Sequence, residues 1–206
     1  LLVQSDGSIA GNFPGGVDNI NSYFTRGLDF KIIANFVKIN GTIRSNGHEG
    51  SYPGSGGNIT IIANDLDLRG QINSQATSSG GLYEGRPGGA IHIIATENIT
   101  INGSINTNGG YGAAESGSGG IINLTAGKFL NISSSLRAVG AIGVGIAVFA
   151  PDGSIFLNFT NLNITSPTDP AYLVMPHRSC EFSNGQQAVL EGRSCILNGT
   201  INLGNL

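Results

Sequence analysis

The sequence predicts an all-β protein: a single-stranded, right-handed parallel β-helix of about five full coils with partial coils at its ends. Three observations predict it. A nearly identical apolar phrase recurs at a spacing of about 30 residues, apolar and polar residues alternate with a period of two, and glycine-rich stretches separate the phrases, with 33 Gly among 206 residues.

The first copy of the phrase is Phe30-Lys31-Ile32-Ile33-Ala34. It returns as Ile59-Thr60-Ile61-Ile62-Ala63, Ile91-His92-Ile93-Ile94-Ala95 and Ile122-Asn123-Leu124-Thr125-Ala126. A second alternating stretch follows each: Val37 and Ile39, Leu66 and Leu68, Ile99 and Ile101, Leu130 and Ile132. Four residues later comes Ile43, Ile72, Ile105 or Leu136. From Ile39 to Leu68, Ile101 and Ile132 the steps are 29, 33 and 31 residues. A fifth copy, Ile155-Phe156-Leu157 with Leu162 and Ile164, lies 32 residues on. Leu190, Cys195, Leu197 and Ile201 repeat the spacing of Ile32, Val37, Ile39 and Ile43 another 33 residues along. Val3, Gly7 and Ile9 match Val37, Gly41 and Ile43. One solenoid is therefore expected over residues 1–206, with a long loop at 166–187.

Period-two alternation marks strands with one buried face. No stretch shows a 3.6-residue apolar period, so helices are expected to be nearly absent. Asn40-Gly41, Asn102-Gly103 and Asn198-Gly199 read as turn chemistry. A unit of this size cannot bury its apolar face alone, but stacked copies build a continuous core. Equivalent strands would then lie parallel, about 4.8 Å apart, with right-handed crossovers.

Composition closes other routes. The glycines have no three-residue period and only 7 Pro accompany them, which excludes collagen. With 39% apolar residues and a net charge of −3, the chain lacks the signature of long disorder. A pI near 5.5 without a Lys/Arg cluster disfavours nucleic acid as a partner. The longest apolar run, Ala138 to Ala150, is broken by glycine and too short for a membrane span.

Repeats of the form Gly-Gly-x-Ile-x-Ile-x-Ala, a short turn, Leu-x-Ile-x-Gly-x-Ile and a glycine-rich loop resemble those of microbial β-helical surface and adhesin-type proteins. The broader relative is the pectin-lyase-like superfold. The resemblance covers nearly all of residues 1–206 and implies a fold more than an activity.

Alternation also sorts the polar residues. Nine Asn-x-Ser/Thr sequons occur, at Asn40, Asn58, Asn98, Asn102, Asn123, Asn131, Asn158, Asn163 and Asn198, where 22 Asn and 32 Ser+Thr would give between three and four by chance. All nine asparagines fall on outward positions. A glycosylated extracellular surface is one reading. The other is that strand alternation itself makes polar-apolar-polar triplets. Tyr23, Tyr52, Tyr83 and Tyr111 are spaced 29, 31 and 28 residues apart in successive loops, and Tyr172 lies in a later one. Stacked coils would place these rings on one side, to contact a sugar or another chain, or to cover their own loops. Cys180 and Cys195, the only two cysteines, are expected to form a disulfide in a secreted protein, the alternative being two buried thiols.

β-Helices often cleave acidic polysaccharides, which takes clustered carboxylates and a base. The seven Asp are scattered, and only Asp65 and Asp67 pair on one strand. Their expected neighbours in the stack, Asn35 and Val37 below and Glu97 and Ile99 or adjacent residues above, build no acidic ladder. The polygalacturonase-type pattern Asn-Thr-Asp, Asp-Asp, Gly-His-Gly is missing. His48, His92 and His177 lie in different elements with no nucleophile context. No catalytic residue, metal site or cofactor is expected.

The chain opens and closes within a repeat, at Leu1-Leu2-Val3 and Asn202 to Leu206, and begins with no Met or signal peptide. It is therefore expected to be a segment of a longer solenoid or a subunit that stacks head to tail with copies of itself. The apolar stretch from Arg137 to Pro151 is expected to be either a lateral contact patch or a buried flap. The expected function is that of a non-enzymatic extracellular surface protein, a piece of a fibre or adhesive stalk. The alternative is a polysaccharide lyase or hydrolase, or a carbohydrate-binding β-helix.

Overall fold

A computed structural model describes residues 2–3, 8–10, 26–48, 53–78, 84–112, 115–141, 150–174, 180–181, 187–191 and 194–196. Among them there is no helix. The strands are β1 (Leu2–Val3), β2 (Ser8–Ala10), β3 (Phe30–Ile33), β4 (Phe36–Ile39), β5 (Thr42–Arg44), β6 (Asn58–Leu68), β7 (Gln71–Asn73), β8 (Ala90–Ile101) and β9 (Ser104–Asn106). They continue as β10 (Ile121–Ile132), β11 (Leu136–Arg137), β12 (Ser154–Ile164), β13 (Thr168–Asp169), β14 (Leu173–Val174), β15 (Cys180–Glu181), β16 (Gln187–Glu191) and β17 (Ser194–Ile196).

Residues up to Val174 form one unit, a parallel β-solenoid of about four turns. A long-strand sheet runs β1-β4-β6-β8-β10-β12-β14, with β3 beside β6, and a short-strand sheet runs β13-β11-β9-β7-β5-β2. Every pairing in both is parallel. The register is the repeat register. Val37, Leu66, Ile99, Leu130 and Leu162 share one column, Ile39, Leu68, Ile101, Ile132 and Ile164 the next. Ile43, Ile72, Ile105 and Leu136 stack across the short-strand sheet. These columns meet in one core whose central members, such as Ile72, Ile101 and Ile105, are fully buried. Each apolar residue thus finds a like residue directly above and below it, which is how a repeat too small to fold alone is stabilised.

The unequal repeat lengths have a local cause. Each long rung is interrupted by a bulge after its inward alanine, and the rungs differ in how many residues they spend there. Asn64 alone separates the paired positions Ala63 and Asp65, whereas Thr96 and Glu97 separate Ala95 and Asn98. Gly127 and Lys128 do the same between Ala126 and Phe129. The extra residues stack on one another, with an ion pair between Lys128 and Glu97 and a hydrogen bond from Thr96 Oγ1 to Asn64 Oδ1 at 3.0 Å.

A second recurrent device closes each glycine-rich loop at its base. The amides of Gly57, Gly89, Gly120 and Gly153 donate to the carbonyls of Ser45 (2.8 Å), Ser74 (2.8 Å), Thr107 (2.7 Å) and Ala138 (2.6 Å). These glycines also stack on each other. A Cβ on Gly120 would overlap the Gly89 carbonyl, and one on Gly153 the Gly120 carbonyl. Beneath them the hydroxyls of Ser45, Ser74 and Thr107 are fully buried. Ser45 donates to the Leu28 carbonyl and Ser74 to the Gly57 carbonyl, as buried polar groups require. The turn role expected of Asn102-Gly103 is corrected here. Gly103 is not in the left-handed region, and glycine is required there because a Cβ would meet the Gly70 carbonyl of the coil beneath.

The coil expected around Leu190 to Ile201 departs from the parallel stack. Residues Met175–Leu206 form a separate unit, in which β15, β16 and β17 make an antiparallel sheet, with Leu190 opposite Cys195. Only two residues separate β16 from β17. Parallel strands need a crossover of a dozen residues or more, so this connection permits only a hairpin. The expected long loop at 166–187 is also shortened at its start. Thr168 and Asp169 pair with β11, and Leu173 and Val174 pair with β12, so the solenoid continues to Val174.

Candidate functional site

The outward face of the long-strand sheet is the surface on which side chains of several coils come together. Because inward Leu66 pairs with Val37 and Ile99, outward Asp65 must stand beside Phe36 and Asn98, and Asp67 beside Lys38 and Thr100. The neighbours expected from repeat spacing, Asn35 and Val37 or Glu97 and Ile99, are thereby corrected by one position. The bulge absorbs the difference. No acidic ladder forms, as expected, since the column through Asp65 reads Phe36, Asp65, Asn98, Phe129, Asn161.

That column lines an open groove of about 450 Å³. Phe36 and Phe129, 50% and 51% exposed, stand at the same register position three strand steps apart, or about 14 Å. Between them lie Asp65, Asp67, Asn98, Thr100 and Asn131. Asn98 Nδ2 donates to Asp65 Oδ1 at 2.8 Å, and Arg69 Nε bonds Asp67 Oδ2 at 3.0 Å. Beside the groove a parallel column of Ile33, Ile62 and Ile94 also points outward, with Ile33 67% and Ile94 43% exposed. Two further grooves are smaller and lie elsewhere. One is floored by the clamp glycines and the other runs along the Asn40 and Gly70 corner.

Sequence reasoning missed Phe36 and Phe129, although a signal was there. Each directly precedes an inward residue, Val37 or Leu130, so alternation places a large aromatic on the outer face, where a polar residue is the norm.

The asparagines of the sequons are dispersed along the stack. Asn102 and Asn163 are exposed, while Asn40, Asn58, Asn98, Asn123, Asn131 and Asn158 are half-buried. Asn98 and Asn131 line the groove. Asn102 Oδ1 accepts from Ser133 Oγ at 2.6 Å. The Asn58 amide donates to Asp29 Oδ1 at 2.7 Å, and the side-chain oxygens of Asn40 and Asn158 are buried without a hydrogen-bond partner. Asn198 lies outside the described residues, as do Tyr23, Tyr52, Tyr83 and the side chains of Cys180 and Cys195. Tyr111 is 49% exposed and its amide donates to Ser78 Oγ at 3.1 Å. Tyr172 packs against the core. In the apolar loop, Ala138 and Ala141 are buried and residues 142–149 lie outside the described set.

Among the described residues no three His, Cys, Asp or Glu side chains cluster in a way that could hold a metal ion. No helix there is long and apolar enough to cross a membrane. No protein-family model matches the chain, and neither the curated proteins nor the solved structures contain a match to it.

Proposed function

We propose that this chain is a non-enzymatic, extracellular structural and adhesive protein segment, in which a stacked β-solenoid holds the outward face of its long-strand sheet as a contact surface. One observation carries the reading. Ile33, Phe36, Ile94, Ile121 and Phe129, each at least 41% exposed, stand outward on strands whose inward side chains are locked in the core. Soluble domains seldom concentrate large apolar side chains on one outer face unless the face meets something. The nine sequons, the two cysteines and the resemblance of the repeats to microbial β-helical adhesin-type proteins support placing the chain outside the cell. Such a surface serves lateral contact with copies of the chain or with glycans.

The test is adhesion of beads coated with the purified chain, both to one another and to insoluble polysaccharide. Beads are expected to adhere, and adhesion is expected to vanish when Ile33→Lys, Ile94→Lys and Phe129→Lys are combined, since all three positions are outward. Beads that adhere to nothing would overturn the reading. Release of reducing or unsaturated sugar from uronate polymers, lost in Asp65→Asn or Asp67→Asn, would replace it with the lyase or hydrolase alternative.

A further inference from the structure

We propose that the groove between Phe36 and Phe129 binds a neutral oligosaccharide lying across β4, β6, β8 and β10, parallel to the solenoid axis. The inference rests on the adhesive reading and names the ligand class for one part of that face.

The argument starts from the spacing of chemistry along the axis. Two phenyl rings stand at the same register position about 14 Å apart, each half exposed. Between them the floor holds the carboxylates of Asp65 and Asp67, the amide of Asn98 and the hydroxyl of Thr100. An aromatic ring offers a flat apolar platform with a negative π face, suited to the C–H face of a pyranose. Carboxylates accept hydrogen bonds only, and amides and hydroxyls both donate and accept, so the floor suits a ligand with many hydroxyl groups. A volume of about 450 Å³ lies within the usual range of about 300–1,000 Å³ for small-molecule sites, and the groove is open along the axis, so a chain of a few sugar residues would lie along it.

Other occupants fit less well. The Asp67 carboxylate is paired with Arg69, which leaves the charge of Asp65 to face the ligand and disfavours an anionic sugar chain. A second copy set face to face would bring Asp65 against the same acidic surface, and like charges across an interface are penalised. A partner strand cannot be added either. β6 pairs with β4 and β8, and β10 with β8 and β12, so their main-chain groups are committed to the ladder.

Isothermal titration of the purified chain with cellohexaose, chitohexaose, laminarihexaose and xylohexaose, with hexagalacturonate as the charged comparison, tests the proposal. Saturable binding to at least one neutral chain is expected, with none to hexagalacturonate. Phe36→Ala and Phe129→Ala should each weaken it about tenfold or more without lowering the melting temperature. Thr100→Arg, which fills the floor and leaves both rings, should abolish it. Failure of all four neutral chains to bind would overturn the proposal, as would binding that survives Phe129→Ala and Thr100→Arg, or tighter binding of hexagalacturonate. If coated beads adhere while free neutral sugars do not bind, the adhesive reading stands and the sugar site falls. If the beads do not adhere, the adhesive reading itself falls.

Discussion

Replacing Gly120 by alanine tests whether the glycine column is set by close stacking of coils. The new Cβ would overlap the Gly89 carbonyl and press on Gly88 and Thr107. Two of these contacts are backbone, so the coils must separate locally. Overpacking of this kind costs about 1–3 kcal/mol. The same shift strains the bond from the Gly120 amide to the Thr107 carbonyl (2.7 Å) and that from the Ile121 amide to the Gly89 carbonyl (3.0 Å), each contributing about 1 kcal/mol net. Against this, alanine lowers the entropy of the unfolded chain, a gain of about 0.4–1 kcal/mol. The net expectation is a loss of about 2–4 kcal/mol, which for a chain of this size lowers the melting temperature by about 5–15 °C. Thermal denaturation followed by circular dichroism reads the shift, with Ser118→Ala as a neighbouring control expected to stay within about 0.5 kcal/mol. Because a solenoid is stabilised by neighbouring coils, hydrogen exchange should accelerate first at Gly120, Ile121, Gly153 and Ser154. An unchanged or raised melting temperature would refute the reasoning, since it would show that the coil spacing accepts a methyl group at this position.

Ile101→Ala removes a fully buried side chain with like residues above and below it, and urea denaturation should show a loss of about 2–5 kcal/mol. Ser74→Ala deletes a buried hydroxyl that donates to the Gly57 carbonyl, and the same assay should show a loss of about 1–3 kcal/mol from the unsatisfied acceptor. Lys128→Ala breaks the exposed ion pair with Glu97 and should change stability by less than about 1 kcal/mol, less still in high salt. When the chain is expressed through a eukaryotic secretory pathway and mapped by mass spectrometry, Asn102 and Asn163, both exposed, should carry glycan more fully than Asn98, whose Nδ2 donates to Asp65.

The solenoid itself was legible because its signal is repeated. Ile39, Leu68, Ile101 and Ile132 identify their column by spacing alone, and alternation assigns each neighbour to the core or the outside. The outer-face groove was not legible. It depends on which outward residues become neighbours three coils apart, and a bulge that holds Asn64 in one rung and Thr96 with Glu97 in the next shifts that answer by one place. The hairpin of β16 and β17 escaped notice because Leu190 and Cys195 keep the repeat spacing, while the two-residue connection between Glu191 and Ser194 overrides it.

By itself the sequence determined the fold class, the inward columns and the register of the coils from Phe30 to Ile164, because a periodic apolar pattern has only one way to bury every copy against the next. Only the tertiary structure decided that the glycines serve close stacking, that Phe36 and Phe129 flank Asp65 and Asn98, and where the solenoid gives way to an antiparallel sheet. Those features arise from contacts between coils about 30 residues apart in sequence, where a single inserted residue at a bulge, or a connection too short to cross over, changes which side chains meet.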